Sequence, residues 1–136
     1  MDSEKLSEDL IRDEGLRLKP YRDTVGKLTI GYGRNIDDVG ISESEARSML
    51  ANDIAAASNE CESAFGFWPR LGEGQQRALV NMAFNMGLPR LRGFRNMLAA
   101  LEAGNYDTAA DEALDSRWAR QVGDRAQRVA DLMRGV

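Results

Sequence analysis

The sequence predicts an α+β fold, mostly helical, in which a short strand-bearing part is joined by a long helix to a helical bulk. Three observations lead there. Apolar residues recur at helical spacing over most of the chain, alternation of the strand type is confined to residues 28–33, and the breaks between segments carry glycine, proline or capping residues. At 136 residues the chain fits one domain with room for one core.

The first helix is expected from about Ser3 to Glu14, with Leu6, Leu10 and Ile11 on its apolar face and Gly15 as its stop. Leu16 to Tyr21 reads as irregular, because Pro20 bars a helix. A hairpin follows: "DTVGK" supplies a turn with Gly26, and Leu28, Ile30 and Tyr32 alternate with Thr29, Gly31 and Gly33. "NIDDVG" closes this short β region. Ser42 and Glu45 form a capping box that opens the longest helix, whose stripe of Ala46, Leu50, Ile54, Ala57 and Cys61 runs to about Ser63. "FGFWPRLGEG" breaks it. Leu79, Val80, Met82, Ala83, Phe84 and Met86 are apolar nearly all round, which predicts a buried central helix. Shorter helices are expected at 91–103, 107–118 and 124–134, with Asp107 and Asp124 as N-caps.

Composition narrows the chemistry. Apolar residues at 43% and charged residues at 29% are ordinary for a globular protein. Apolar runs, such as Ile54–Ala57, are too short to cross a bilayer, and "MDSEKLSEDL" is too acidic and polar for a Sec-type signal peptide. The single cysteine, Cys61, allows no internal disulfide and falls in a helical pattern as a buried thiol. Histidine is absent, which excludes His-based triads and His-built metal sites. Net charge is −4, from −6 over residues 1–68 and +2 over residues 69–136, where all ten basic residues are arginine. An acidic chain argues against general nucleic-acid binding. Arg90, Arg92 and Arg95 in "PRLRGFRN" read either as solvated surface or as a local basic lip.

Two acids stand out. Glu14 shares a stripe with Leu10 and Ile11, so it is expected to be partly desolvated, and it lies at the negative end of the helix dipole. Both effects favour a protonated carboxyl, the state a general acid needs. Asp23 sits in a polar turn, where it is expected to stay ionised. Such a pair fits acid and base roles on a glycosidic bond, and Thr29, Gly31 and Gly33 on one strand face would let a sugar polymer approach the backbone. The same residues also read as a solvated helix end and a plain hairpin. "GYGR" is not a phosphate loop.

"RDEGLRLKPYRDTVGKLTIGYGR" closely resembles the phage T4-type lysozymes, glycoside hydrolase family 24. Their pattern is a Glu before Gly at the end of the first helix, an Asp nine residues later and a Thr six after that, opening a T-x-G-x-G strand. Glu14, Asp23, Thr29, Gly31 and Gly33 fit without a gap, and "ALVNMAFNMG", "GFRNML", "SRW" and "DRAQRV" follow in family order. The resemblance implies a two-lobed lysozyme-like fold: a β-containing lobe at about 13–41, a connecting helix at about 42–63, and a helical lobe at about 70–136 on which helix 3–14 packs. It implies hydrolysis of the β-1,4 bond from N-acetylmuramic acid to N-acetylglucosamine in peptidoglycan, without a cofactor or metal. Glu14 would protonate the leaving oxygen, and Asp23 with Thr29 would activate water, giving inversion. Gly31, Gly33, Asn35 and Phe84 would touch substrate, and Arg125 would support the acid. Phe84 reads equally as core.

The expected protein is a monomeric endolysin, made in a host cytoplasm, released to the wall through a holin, and neither inserting in membranes nor binding nucleic acid. The alternative is a catalytically inactive lysozyme-like domain that binds peptidoglycan or another protein. Three departures bear on this. Arg34 stands where relatives often have His, the segment from Gly33 to Ser42 is short, and Met97 and Glu112 replace polar sugar contacts.

Overall fold

A computed structural model describes residues 1–136 and divides them into two compact units, Met1–Ser48 and Met49–Val136. The first begins with α1 (Ser3–Glu14), capped by Asp2, whose carboxylate accepts the Lys5 N–H at 3.0 Å. Three antiparallel strands follow in the order β1 (Arg17–Arg22), β2 (Leu28–Gly31) and β3 (Arg34–Asn35). Residues 17–21 are therefore not irregular. β1 is an edge strand and its pairing with β2 shifts register between Arg17 and Tyr21, so Pro20 is accommodated there without an N–H to give.

The extended chain also stops sooner than expected. β2 ends at Gly31, and Ile30 pairs with Arg34 on β3, so Gly31, Tyr32 and Gly33 form a turn rather than a continued strand. "NIDDVG" closes the β region by turning helical after Asn35. Asn35 caps a single helical turn, α2 (Ile36–Val39), its side-chain oxygen accepting the Asp38 N–H at 3.0 Å. The acids of α2 then tie it back to β2: Asp37 accepts the Leu28 N–H at 2.8 Å, and Asp38 pairs with Lys27 at 3.1 Å.

The capping box at Ser42 and Glu45 forms as the sequence predicts. The Glu45 N–H donates to Ser42 Oγ at 3.1 Å and the Ser42 N–H donates to Glu45 Oε1 at 2.9 Å. Glu45 has a second role that spacing did not reveal. Arg34 donates to both of its oxygens, at 3.0 and 2.7 Å, and also to the Gly40 carbonyl at 3.0 Å. The guanidinium and the cap together pull the Glu45 carboxyl down to about 2.

From this cap α3 (Glu43–Ala64) runs on into the second unit. Of its predicted stripe only Ala57 and Cys61 are buried; Leu50 and Ile54 remain about half exposed. The Cys61 thiol is fully buried, as expected, and burial pushes it up to about 11. A 3-10 turn (Trp68–Arg70) leads to α4 (Glu73–Met86), which buries Gln75, Ala78, Leu79, Met82 and Ala83. It is not apolar all round in effect, since Phe84 is 45% exposed. The expected helix at 91–103 is split at Gly93 into α5 (Leu88–Leu91) and α6 (Arg95–Glu102). The one at 107–118 ends early as α7 (Tyr106–Leu114), because Ser116 caps a separate α8 (Arg117–Val122), its Oγ accepting the Ala119 N–H at 3.1 Å. α9 (Asp124–Arg134) completes the unit. The residues at the cap positions of α7 and α9 are Asn105 and Gly123; Asp107 and Asp124 lie in the first turns, where negative charge still suits the helix dipole.

α4 and α9 set the centre of the core. Buried Gln75 donates to the Met133 carbonyl at 2.8 Å, and a Cβ at Gly74 would lie 2.5 Å from the Leu132 carbonyl oxygen. The two helices meet closely because Gly74 has no side chain. Gly74→Ala should therefore force them apart and lower stability by about 1–3 kcal/mol, read as a fall in the thermal unfolding midpoint. Gly66→Ala, which meets open space, should stay within about 0.5 kcal/mol of wild type. The lowered Glu45 carboxyl gives a second expectation. Its contribution to stability is complete above its ordinary value of 4.5 and is lost as pH falls through about 2. Denaturant titrations should show wild type losing its advantage over Glu45→Gln across that window, and no such convergence between pH 6 and 8.

Candidate active site

The residues singled out in the sequence fall into both units. In the first, α1 delivers Glu14 as its last residue and Gly15 breaks the helix with φ +70°. The expected shielding of Glu14 is not in place: α1 buries no residue, and Leu10 and Ile11 are each 45% exposed. A three-residue apolar stripe finds no buried partner among the short strands and polar turns of this unit. What places the Glu14 side chain is a contact with the β2–β3 turn. A Cβ built on Gly33 would come 2.6 Å from Glu14 Oε2 and 2.9 Å from its carboxyl carbon. The carboxylate thus occupies the space that any other residue at 33 would fill. Gly31 and Gly33 both have positive φ, +71° and +75°, which lets the turn reverse so tightly.

Asp23 lies in the β1–β2 turn. Its Oδ1 accepts the N–H groups of Val25 and Lys27 at 3.0 and 2.8 Å, while its own N–H donates to the Lys27 carbonyl at 2.9 Å. These bonds hold the carboxylate in one orientation and leave Oδ2 unused by them. Thr29, on the central strand, is 4% exposed, and its hydroxyl donates to the Lys27 carbonyl at 2.9 Å. With its proton committed there, the oxygen keeps its lone pairs as acceptors. Lys27 thereby links the two residues, its N–H to Asp23 and its carbonyl to Thr29. Asn35 is taken up by the α2 cap, its amide nitrogen donating to Asp38 at 2.9 Å, which leaves one amide hydrogen free for another partner.

In the second unit Phe84 is exposed on a cavity of about 520 Å³, which excludes its reading as core. Arg125 lines the same cavity and donates to Asn81 Oδ1 at 2.9 Å and to the Asn81 carbonyl at 3.4 Å, so α4 fixes its guanidinium. A second cavity, of about 410 Å³, gathers Arg90 and Arg95 with Glu112, Asp115 and Arg117 over Phe94 and Trp118. Two of the three arginines in "PRLRGFRN" thus share a rim with acids. Met97 lies at the same cavity but is only 1% exposed, turned into the core, whereas Glu112 is half-buried. Trp118 is locked by its indole N–H, which donates to Asn85 at 2.8 Å.

The sequence reading missed several partners. Asn81 and Asn85 sit within the "ALVNMAFNMG" block, but nothing local pairs them with Arg125 and Trp118, 44 and 33 residues away. For Arg34 a signal existed. An arginine eleven residues before a capping-box glutamate has a carboxylate of known position to find.

Comparison with known proteins identifies the family. The model of the family described as phage lysozyme matches residues 12–134. The chain is 34% identical to the pre-baseplate central spike protein Gp5 of Enterobacteria phage T4, across 94% of this chain but 27% of that protein, so it spans about a quarter of that relative's length. It is 30% identical to probable T4-type lysozyme 2 of Dictyostelium discoideum across 93% of this chain and 92% of the relative, and 33% identical to the endolysin of Salmonella phage P22 across 77% and 75%. With the matched segment running from before Glu14 to beyond Arg125, the chain belongs to the T4-type phage lysozyme family.

Proposed function

We propose that this chain is a lysozyme that hydrolyses the β-1,4 bond between N-acetylmuramic acid and N-acetylglucosamine in bacterial peptidoglycan. The observation that carries the reading is the seat of the Glu14 carboxylate on Gly33, in the same unit as a carboxylate and a hydroxyl bound to one residue, Lys27. A carboxyl resting on bare backbone can meet a bulky polymer without a flanking side chain in the way. Glu14 is the general acid that protonates the leaving oxygen. Asp23, held by two backbone N–H groups, takes the proton of the attacking water, and the acceptor lone pairs of Thr29 orient it. Water attacking from the face opposite the leaving group inverts the anomeric centre, which needs carboxyls about 6.5–9.5 Å apart. Gly31, Gly33 and Asn35 are the proposed substrate contacts of the first unit, and Phe84 is the one proposed in the second. The enzyme acts as a monomer without a cofactor, made in a host cytoplasm and reaching the wall through a separate holin.

A second reading is favoured by the identity with the spike protein: a lysozyme module within a longer, spike-type protein. The chemistry is the same in both, and only the route to the wall differs. Turbidity loss of chloroform-treated Gram-negative cells tests the shared part. Wild type should clear the suspension, and Glu14→Gln and Asp23→Asn should each be slower by about 10²–10⁴-fold at unchanged thermal midpoint. Equal inactivity of wild type and variants would indicate a binding module instead. Gly33→Ala, which places a methyl where Glu14 Oε2 now sits, should cost about 10²-fold in rate. NMR of fresh reaction mixtures should show the α-anomer first, as inversion requires.

A further inference from the structure

We propose that Arg34 is a positioning residue for Glu14, acting through its neighbour Gly33; this rests on the reading of Glu14 as the general acid. Within the first unit the Glu14 carboxylate is placed by contact with Gly33, so its position is only as well defined as the turn beneath it. That turn holds two glycines at positive φ, the most permissive backbone available. One of its ends is set by the pairing of Ile30 with Arg34. The other constraint is the Arg34 side chain, which leaves β3 and grips Glu45 with two parallel hydrogen bonds and the Gly40 carbonyl with a third. Glu45 is itself immobilised by the Ser42 cap at the start of α3, a helix of 22 residues. A continuous path therefore runs from a long helix through Glu45 and Arg34 to Gly33 and the acid.

The ion pair is 38% and 43% exposed, so its direct contribution to stability is small. Its geometric contribution is not, because a planar guanidinium on a carboxylate fixes orientation as well as distance. A lysine would keep the charge and lose the fork. Placement errors near 1 Å at a reacting group cost about 10²-fold in rate, and a loosened turn produces a fraction of such an error.

The test uses the intact chain with soluble, uncross-linked glycan strands as substrate. Arg34→Met and Glu45→Gln should each lower kcat about tenfold with KM within about twofold of wild type, and Arg34→Lys should fall between. The double variant should lose no more than either single one, since both cut the same path. The Gly33 amide resonance should broaden or shift in all three single variants, a readout that needs no turnover. Unchanged kcat in folded Arg34→Lys and Glu45→Gln, a loss confined to KM, additive losses, or an unmoved Gly33 resonance would each overturn the proposal. A fully active Glu14→Gln would instead remove the reading it rests on.

Discussion

The absence of a side chain at residue 33 is the constraint on which the site depends. A helix end, a hairpin turn and a second turn must converge if Glu14, Asp23 and Thr29 are to serve one reaction, and α1 can deliver its last side chain to the sheet only where the sheet has nothing standing up. Gly33 supplies that gap, with Gly31 allowing the reversal that brings it there. The glycine alternation thus supplies both a hinge and a vacant seat. The seat is taken by the protein's own acid.

The two units are stabilised by different physics. In the first, Thr29 is the one buried residue, and order comes from polar ties: the Asp23 turn, the Asn35 cap, Asp37 on the Leu28 N–H, Lys27 with Asp38, and Arg34 with Glu45. Such ties are directional but individually weak, and salt screens the charged ones. The second unit holds the whole cluster of buried apolar residues, with Leu79, Met82, Leu91, Met97, Leu101, Val129 and Met133 nearly or fully inaccessible. Dispersion and burial dominate there, and a displaced methyl is felt as a packing defect. Local opening is expected to be easiest in the unit held together by these polar ties.

The second unit nevertheless carries well-fixed polar features. Arg125 and Trp118 are each locked by an asparagine of α4, a helix that turns Leu79 and Met82 inward and exposes Phe84. One helix thereby serves the core on one side and a cavity on the other. Met97 shows the opposite trade. Met97, which stands where the family resemblance implies a polar sugar contact, has gone into the core, and Arg95, Glu112 and Arg117 supply the charges of the second cavity.

Much was determined by the sequence alone. The α+β class, α1, α3 and α9 within a residue, the Ser42–Glu45 cap, the buried Cys61 and the order of Glu14, Asp23, Thr29, Gly31 and Gly33 all follow from patterns spanning a few residues, where backbone geometry ties spacing to direction. The edge strand through Pro20, the helical turn at α2, and the breaks after Leu91 and Leu114 were misread for a related reason: a proline or a short polar run is compatible with several local forms, and neighbours select among them. Only the tertiary structure decided that Glu14 rests against Gly33 rather than being a buried acid, that Arg34 belongs to Glu45, and that Phe84 is exposed on a cavity while Met97 is buried. Those outcomes depend on where distant segments close on one another, which local periodicity does not encode.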